Sequence, residues 1–385
     1  MKKVEAYSKK LGLFTGFPIN FYGGGEVTII NISKGFQSHG LDNIIYENES
    51  FEGPLRINDD FLFQKNISYQ KIKFEPTNKL FNRLFQPIPP LETLNNHPIN
   101  LIMIWRLPSL RQMKKLNKSN SKKIFLMHGI GLERIRLLHP LIIAYQIYMR
   151  IQLLLIKKSF LQGNNYFQVI NTFQKEILLK FGFPQERIFL IKNGIDINDY
   201  YVGKNDTQFN VLFIGRLENI QKGISRLIKV AKYVKKIRPE INFIVAGSGE
   251  FSSKLKNFNF INYLGFITEE KKVHELANAN LFLVTSNIEP FSLVTLEALF
   301  SGLPVISTPV TGPSEIIRSF NDFGKIAGFN SKVIGNIIIE YYNKWKSNTQ
   351  EYYERKIARS IQAKRMFNAN IMIENYVKMV FQVKQ

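Results

Sequence analysis

The sequence predicts an α/β protein built on two doubly wound parallel sheets. Three observations carry that prediction. Short apolar runs, of the kind that bury on both faces of a sheet, alternate with amphipathic helices at crossover spacing. The alternation occurs twice, once on each side of about residue 200. The length of 385 residues fits two domains of ordinary size.

Taken in chain order, the polar stretch VEAYS (4–8) reads as the first strand. Gly23, Gly24 and Gly25 precede a helix over 26–38 that stops at Gly40. DNIIYEN (42–48) is a strand, and residues 50–98, with Pro76, Pro87, Pro89, Pro90 and Pro98, are the least regular part. NLIMIW (100–105) and KKIFLMHG (122–129) read as strands that end in loops able to carry function. A long helix fills roughly 135–160, YFQVINT (166–172) is a strand followed by a helix to Lys180, and RIFLIKNGID (187–196) runs from a strand into a turn.

The second half is more regular. NVLFIG (210–215) is a strand, and the helix 221–238 places Ile224, Leu227, Ile228, Ala231 and Val234 on one face before Pro239 ends it. INFIVAG (241–247) is halted by Gly247-Ser248-Gly249. INYLG (261–265), the helix 269–279, LFLVTS (281–286), the helix 292–301 and PVIST (304–308) complete the series. Strand–helix–strand repeats of this spacing specify parallel pairing with helices on both faces. Ligands of such sheets bind beyond the strand carboxyl ends, so a cleft between the two domains is the expected site.

Composition narrows the chemistry. Hydrophobic residues make up 45%, which excludes a disordered chain. There is no Cys, which excludes disulfides, thiolate metal sites, iron–sulfur clusters and a cysteine nucleophile. The net charge is +22, and residues 101–160 hold twelve Lys and Arg against one acid, Glu133, half of the whole surplus. Such a patch suits a polyanion or an anionic membrane face. The apolar run Leu137–Ile156 contains His139, Pro140 and Arg150, so it reads as a buried or interfacial helix and not a spanning one. The start, MKKVEAYSKK, leads into no apolar stretch, so no secretory signal is expected.

Candidate chemistry gathers in the second half. Glu289 and Glu297 are separated by seven residues, with Glu289 in the loop after LFLVTS and Glu297 inside the next helix. The free amides around Phe291, Ser292, Leu293 and Val294 at that helix start would meet phosphate oxygens. Arg216 and Lys222 follow the NVLFIG strand, at the same end of the sheet. Two cations and a helix N-terminus converging there make a diphosphate pocket. AGSGE (246–250) lies on the neighbouring loop, where Gly247 and Gly249 permit either close backbone approach to a ligand or simply a tight turn.

These elements in this order resemble the retaining glycosyltransferases of family 4, whose fold is GT-B, two Rossmann-like domains facing across a cleft. GRLENIQKG, VAGSGE and EPFSLVTLE correspond to that family's basic loop, glycine turn and E-x7-E element. FYGGGE looks like its N-terminal glycine loop, FLMHG carries its histidine, and IKNGID looks like its hinge. The resemblance therefore implies an acceptor-binding domain over 1–197 and a donor-binding domain over 198–365. A C-terminal helix over 366–385 would return to the first domain.

It also implies roles. Arg216 and Lys222 would hold the diphosphate of a nucleotide sugar and stabilise the leaving group. Glu289 would bind donor-sugar hydroxyls with amides near Phe291 and Ser292, while the amides of Leu293 and Val294 contact phosphate. Glu297 would hold the ribose, the loop at Gly265, Phe266 and Ile267 would read the base, Gly24 and Gly25 would face the phosphate, and His128 would sit beside the reacting sugar. Where the family has glycine after the Phe of its E-x7-E loop, this chain has Ser292. No metal or other cofactor is expected. The expected partners are a UDP-, GDP- or ADP-sugar, a glycan or lipid-linked acceptor, and peripherally the anionic cytoplasmic face of a membrane. A nucleotide-sugar epimerase of the same architecture and a nucleic-acid-binding protein are the competing readings. The second of these lacks a recognised reader motif.

Overall fold

The computed structural model describes residues 10–18, 24–49, 67–75, 84–128, 130, 132–133, 140–205 and 207–384. The strand expected at VEAYS, Gly23, and the start of the helix expected from 135 lie outside these residues. Contacts divide the chain into two units. The first is Met1–Leu132, Ala144–Asn193 and Asn370–Gln385; the second is Glu133–Ile143 and Gly194–Ala369. The dividing line thus falls at 193/194, and the segment 133–143 groups with the second unit although it lies between two parts of the first.

In the first unit the strands are β1 (Leu11–Thr15), β2 (Asn43–Asn48), β3 (Tyr69–Ile72), β4 (Ile99–Met103), β5 (Lys122–Leu126), β6 (Asn165–Val169) and β7 (Ile188–Leu190). They form one sheet in the order β3-β2-β1-β4-β5-β6-β7, with every pair parallel. Strand β1 is LGLFT, not a more polar stretch, and all five residues are buried. Gly12 breaks its apolar run because a Cβ there would lie 2.6 Å from Asn100 Oδ1.

The helices of the first half are α1 (Gly24–Ser38), α2 (Leu91–Asn95), α3 (Leu110–Leu116), α4 (Pro140–Gln162) and α5 (Thr172–Lys180). Successive residues of β1 serve opposite faces, as the strand period requires. Leu13 packs with Ile29, Ile32 and Phe36 of α1, whereas Phe14 joins Met149, Leu153 and Phe160 of α4 in the other core. The terminal helix Ala369–Lys384 covers the α1 face with Met372, Tyr376, Met379 and Val380. Gly35 lets it approach, because a Cβ there would meet Ile373 at 2.4 Å.

The second unit has β8 (Asn210–Ile214), β9 (Asn242–Ala246), β10 (Asn262–Gly265), β11 (Leu281–Val284), β12 (Val305–Ser307) and β13 (Gly324–Ile326). Their order is β10-β9-β8-β11-β12-β13, again all parallel. Its helices are α6 (Ile224–Ile237), α7 (Ser252–Lys256), α8 (Glu269–Asn278), α9 (Leu293–Phe300), α10 (Thr311–Arg318), α11 (Ser331–Ser347) and α12 (Thr349–Met366). Leu227, Val230, Ala231 and Val234 of α6 pack on Val211, Phe213, Phe243 and Val245 of the central strands. The spacing of these α6 residues is what makes the helix bury one stripe.

Candidate active site

In the second unit the winding direction reverses between β8 and β11. The chain leaves β8 toward β9 and leaves β11 toward β12. Open sheets of this kind take ligands outside the strand carboxyl ends at such a reversal. The loop after β8 carries Arg216 and Lys222, and the loop after β11 carries Glu289. Side chains that the sequence did not single out join the two loops. Asn287 donates to the carbonyls of Asn219 (3.1 Å) and Ile220 (3.0 Å), and its own amide donates to Gln221 O at 2.6 Å. Arg226 donates to Asn287 Oδ1 at 2.9 Å and to the carbonyl of Thr285. Gly223, in the left-handed region at φ 68°, lies against the second loop; a Cβ there would be 2.3 Å from Thr285 O.

This joining brings Lys222 and Glu289 together as an ion pair, with both side chains mostly buried. Ser286 Oγ donates to the same carboxylate oxygen at 3.4 Å. Arg216 is exposed and donates to Gln221 Oε1. Glu218 orders the turn between the two cations by accepting from the amides of Gln221 (3.0 Å) and Lys222 (3.1 Å). Glu297, inside α9, is buried and takes a different lysine, Lys272 of α8, at 2.9 Å. Burial works against the Lys272 ammonium, but Glu297 and Glu269 outweigh it and hold its pKa above the ordinary value. Each carboxylate of the E-x7-E spacing thus holds one ammonium.

Gly247 and Gly249 are accounted for by contacts between loops. A Cβ at 247 would lie 1.9 Å from Gly215 O, and one at 249 would lie 2.5 Å from Leu217 O. The glycine turn fits under the β8 loop, and Leu217 N donates to Ser248 O at 2.9 Å. The tight-turn reading of AGSGE is therefore sufficient for both glycines. Beyond β10, Gly265 adopts φ 73°, Phe266 is 61% exposed and Ile267 is half-buried.

Phe291 is buried, and Ser292 precedes α9, whose first residues are Leu293 and Val294. Amides at a helix start lack intrahelical acceptors. Ser292 has φ 80°, the one non-glycine residue at positive φ among the described residues. That conformation costs an L-residue about 1–2 kcal/mol, and the 2.9 Å bond from Thr295 Oγ1 to Ser292 Oγ offsets part of it. Ser292→Gly is therefore expected to be more stable than Ser292→Ala by about 1 kcal/mol, the reverse of the order in a helix interior. Thermal denaturation of the two variants measures the difference, and an equal or higher Tm for the alanine variant would contradict the strain.

Two further residues support the Glu289 loop. Gly312, at the start of α10, donates its amide to Glu289 O at 2.9 Å. A Cβ at 312 would lie 2.3 Å from Phe291 Cα, so the approach needs glycine. Glu133, the single acid of the basic stretch, is 3% exposed and accepts from the Glu289 amide at 3.2 Å. No spacing rule connects residue 133 to residue 289, so the sequence held no signal for this contact.

In the first unit, Gly24 and Gly25 are the first residues of α1, two positions earlier than expected, and a Cβ at 25 would sit 3.1 Å from Met103 Sδ. His128 follows β5, with Nε2 at 2.9 Å from both Gln168 Oε1 and Tyr376 Oη. Both amide hydrogens of Gln168 are used, on the carbonyls of Val169 and Ile191. Its oxygen therefore faces the histidine, and Nε2–H donates. Nδ1 is left as a buried acceptor with no partner among the described residues.

Burial pushes the His128 pKa down to about 4. An unfolded histidine titrates near about 6.5. Between these values the unfolded chain binds more protons, so stability falls as pH drops through that window, by at most about 1.4 kcal/mol per pH unit. His128→Asn is expected to flatten this acid limb in denaturation curves at pH 7, 6, 5 and 4. An unchanged slope would contradict the assignment. Among the described residues no group of three or more His, Asp or Glu converges on a point.

Comparison with known proteins bears on this geometry. Residues 197–356 match the model of the family "Glycosyl transferases group 1". An uncharacterised glycosyltransferase of Methanocaldococcus jannaschii is 29% identical over 171 residues, which cover 39% of this chain and 43% of that protein. The 2-deoxystreptamine N-acetyl-D-glucosaminyltransferase of Niallia circulans is 35% identical over 113 residues, or 28% of this chain and 29% of that one. The chain thus spans less than half the length of these two relatives. The likeness in fold extends much further. HepE of Anabaena, solved with UDP and glucose, superposes with a TM-score of 0.70 at 18% identity, covering 97% of this chain and 99% of HepE. TarM of S. aureus, in complex with ligands that include UDP, gives a TM-score of 0.71 at 14% identity, covering 98% and 100%. The two parallel sheets with their helices have the GT-B fold.

Proposed function

We propose that the protein is a retaining glycosyltransferase of family 4 that moves a sugar from a nucleotide-sugar donor to a saccharide or lipid-linked acceptor in glycan, polysaccharide or glycolipid synthesis. One observation carries the reading. Lys222 and Glu289 pair at the switch point of the second sheet, beside the start of α9, and Arg216 stands on the same loop as Lys222. The chemistry needs this arrangement. Breaking the bond between the anomeric carbon and the β-phosphate oxygen leaves negative charge on phosphate and positive charge on the sugar ring. Fixed cations and amides stabilise the first, and the Glu289 carboxylate accepts from sugar hydroxyls beside the second. The acceptor oxygen then bonds to the anomeric carbon on the face the phosphate leaves, and the departing phosphate takes the acceptor proton. The products are a glycoside and a nucleoside diphosphate.

In this reading Glu297, one and a half turns into the helix, holds the ribose, and the exposed Phe266 with the backbone of 265–267 reads the base. UDP heads the candidates because HepE and TarM were solved with it. No metal is required in this reading, since two side-chain cations carry the phosphate charge.

A thermal-shift panel of UDP-, GDP- and ADP-glucose in EDTA tests it. One nucleotide series is expected to raise Tm by mass action. No shift with any of them would reject the donor site.

The same reading places the protein peripherally on the cytoplasmic membrane face. Helix α4 has the length and apolarity of a membrane span, yet only a third of its most apolar window is buried. Leu141, Ile147, Ile151, Leu154 and Leu155 are exposed along one stripe at helical spacing, with Lys157 and Lys158 near its end. Such a face suits the interface of an anionic bilayer. Vesicles containing phosphatidylserine are expected to sediment the protein where phosphatidylcholine vesicles do not, and equal binding to both would remove the electrostatic part.

A further inference from the structure

Glu133 does more than satisfy its own charge. Both of its oxygens accept hydrogen bonds. Oε1 takes the amides of Glu289 (3.2 Å) and Thr311 (3.0 Å); Oε2 takes the Thr311 amide (3.1 Å) and hydroxyl. Helix α10 has no side-chain cap of its own, since the residue before it is Val310. A carboxylate from more than 150 residues upstream supplies that cap and extends it to the Glu289 loop. The Glu289 carbonyl is held as well, by the amide of Gly312. The backbone of Glu289 is therefore tied on both sides, its N–H by Glu133 and its C=O by α10.

From this geometry we infer that Glu133 is a positioning residue for the transfer reaction: it sets the Glu289 carboxylate against the donor sugar without touching the donor. The inference rests on the role proposed for Glu289. Removing the acceptor leaves two part-buried amides without this partner, and such groups are costly enough to make the loop shift. A displacement of about 1 Å at a reacting centre can cost about a hundredfold in rate. The diphosphate cations sit on a different loop, tied to the Glu289 loop through Asn287 and Arg226, and these ties do not involve Glu133. Loss of Glu133 is thus expected to separate turnover from nucleotide binding.

The test uses the full chain with Glu133→Ala, Glu133→Gln and a Glu289→Ala control, assayed with UDP-glucose and titrated with UDP, or with the GDP or ADP pair if the stability panel selects that base. For Glu133→Ala the expected result is a kcat lowered ten- to a hundredfold with a Kd for UDP within twofold of the parent. Glu133→Gln keeps one acceptor oxygen and is expected to fall between the two. Wild-type kcat in Glu133→Ala beside an inactive Glu289→Ala overturns the inference alone. A parallel loss of UDP affinity and kcat also overturns it, because the carboxylate would then be holding the whole site. So does failure of both Glu133 variants to fold. Full activity of the Glu289→Ala control overturns the functional reading itself and takes this inference with it.

Discussion

Glu289→Gln is expected to lower kcat by about a hundredfold and, in the same protein, to tighten nucleoside diphosphate binding severalfold. The two effects have one cause. The Glu289 carboxylate neutralises Lys222. In the proposed reaction an arriving diphosphate draws that ammonium to itself while a negative charge sits beside it. The amide keeps the shape and removes the charge, so the cation is free for phosphate. Turnover falls because hydrogen bonds from the sugar hydroxyls to a charged acceptor, each worth about 1.5–3 kcal/mol, are replaced by weaker neutral ones. Isothermal titration with UDP and steady-state assay with UDP-glucose measure the two arms. Unchanged kcat would remove Glu289 from the reaction, and weaker UDP binding would show that the ion pair does not compete with phosphate.

Lys222→Met is expected to move both quantities the same way. Methionine keeps much of the aliphatic length and removes the ammonium. The diphosphate loses a fixed cation, and Glu289, whose side chain is only 12% exposed, is left facing the phosphate with no partner in the pair. UDP affinity is expected to fall at least tenfold. The kcat is expected to fall by about a hundred- to a thousandfold, the range seen when one preorganised group at a developing negative charge is lost. Circular dichroism of the variant should match the parent, since the turn is held by Glu218, Asn219 and Asn287 and not by the ammonium. A variant with wild-type kcat would place the leaving-group charge elsewhere.

Much of the architecture was legible because it rests on local rules. The β8, β9, β11 and β12 strands are uninterrupted apolar runs, and the α6 stripe repeats at 3.6 residues. Other elements were hidden by particular residues. Gly12 interrupts β1 because a neighbouring asparagine needs the space. Helix α12, which the sequence analysis did not single out, buries Lys356 and Arg359. Lys356 donates to the carbonyls of Gly203, Ala277 and Ala279, and Arg359 to the carbonyl of Gly302 and the carboxylate of Asp322, acceptors that no periodicity rule can supply.

The residues of the candidate site could be named from the sequence for the same local reason. Arg216, Lys222, Glu289 and Glu297 each stand at a fixed offset from a strand end or a helix start, and such offsets are written in the chain. Three matters were decided only by the folded molecule: which carboxylate holds which lysine, that Gly247 and Gly249 make room for a neighbouring loop, and that Glu133 binds the Glu289 amide. Each is a contact between segments distant in sequence. A hydrogen bond depends on the separation and angle of two atoms, and those values exist only once the strands have been placed side by side.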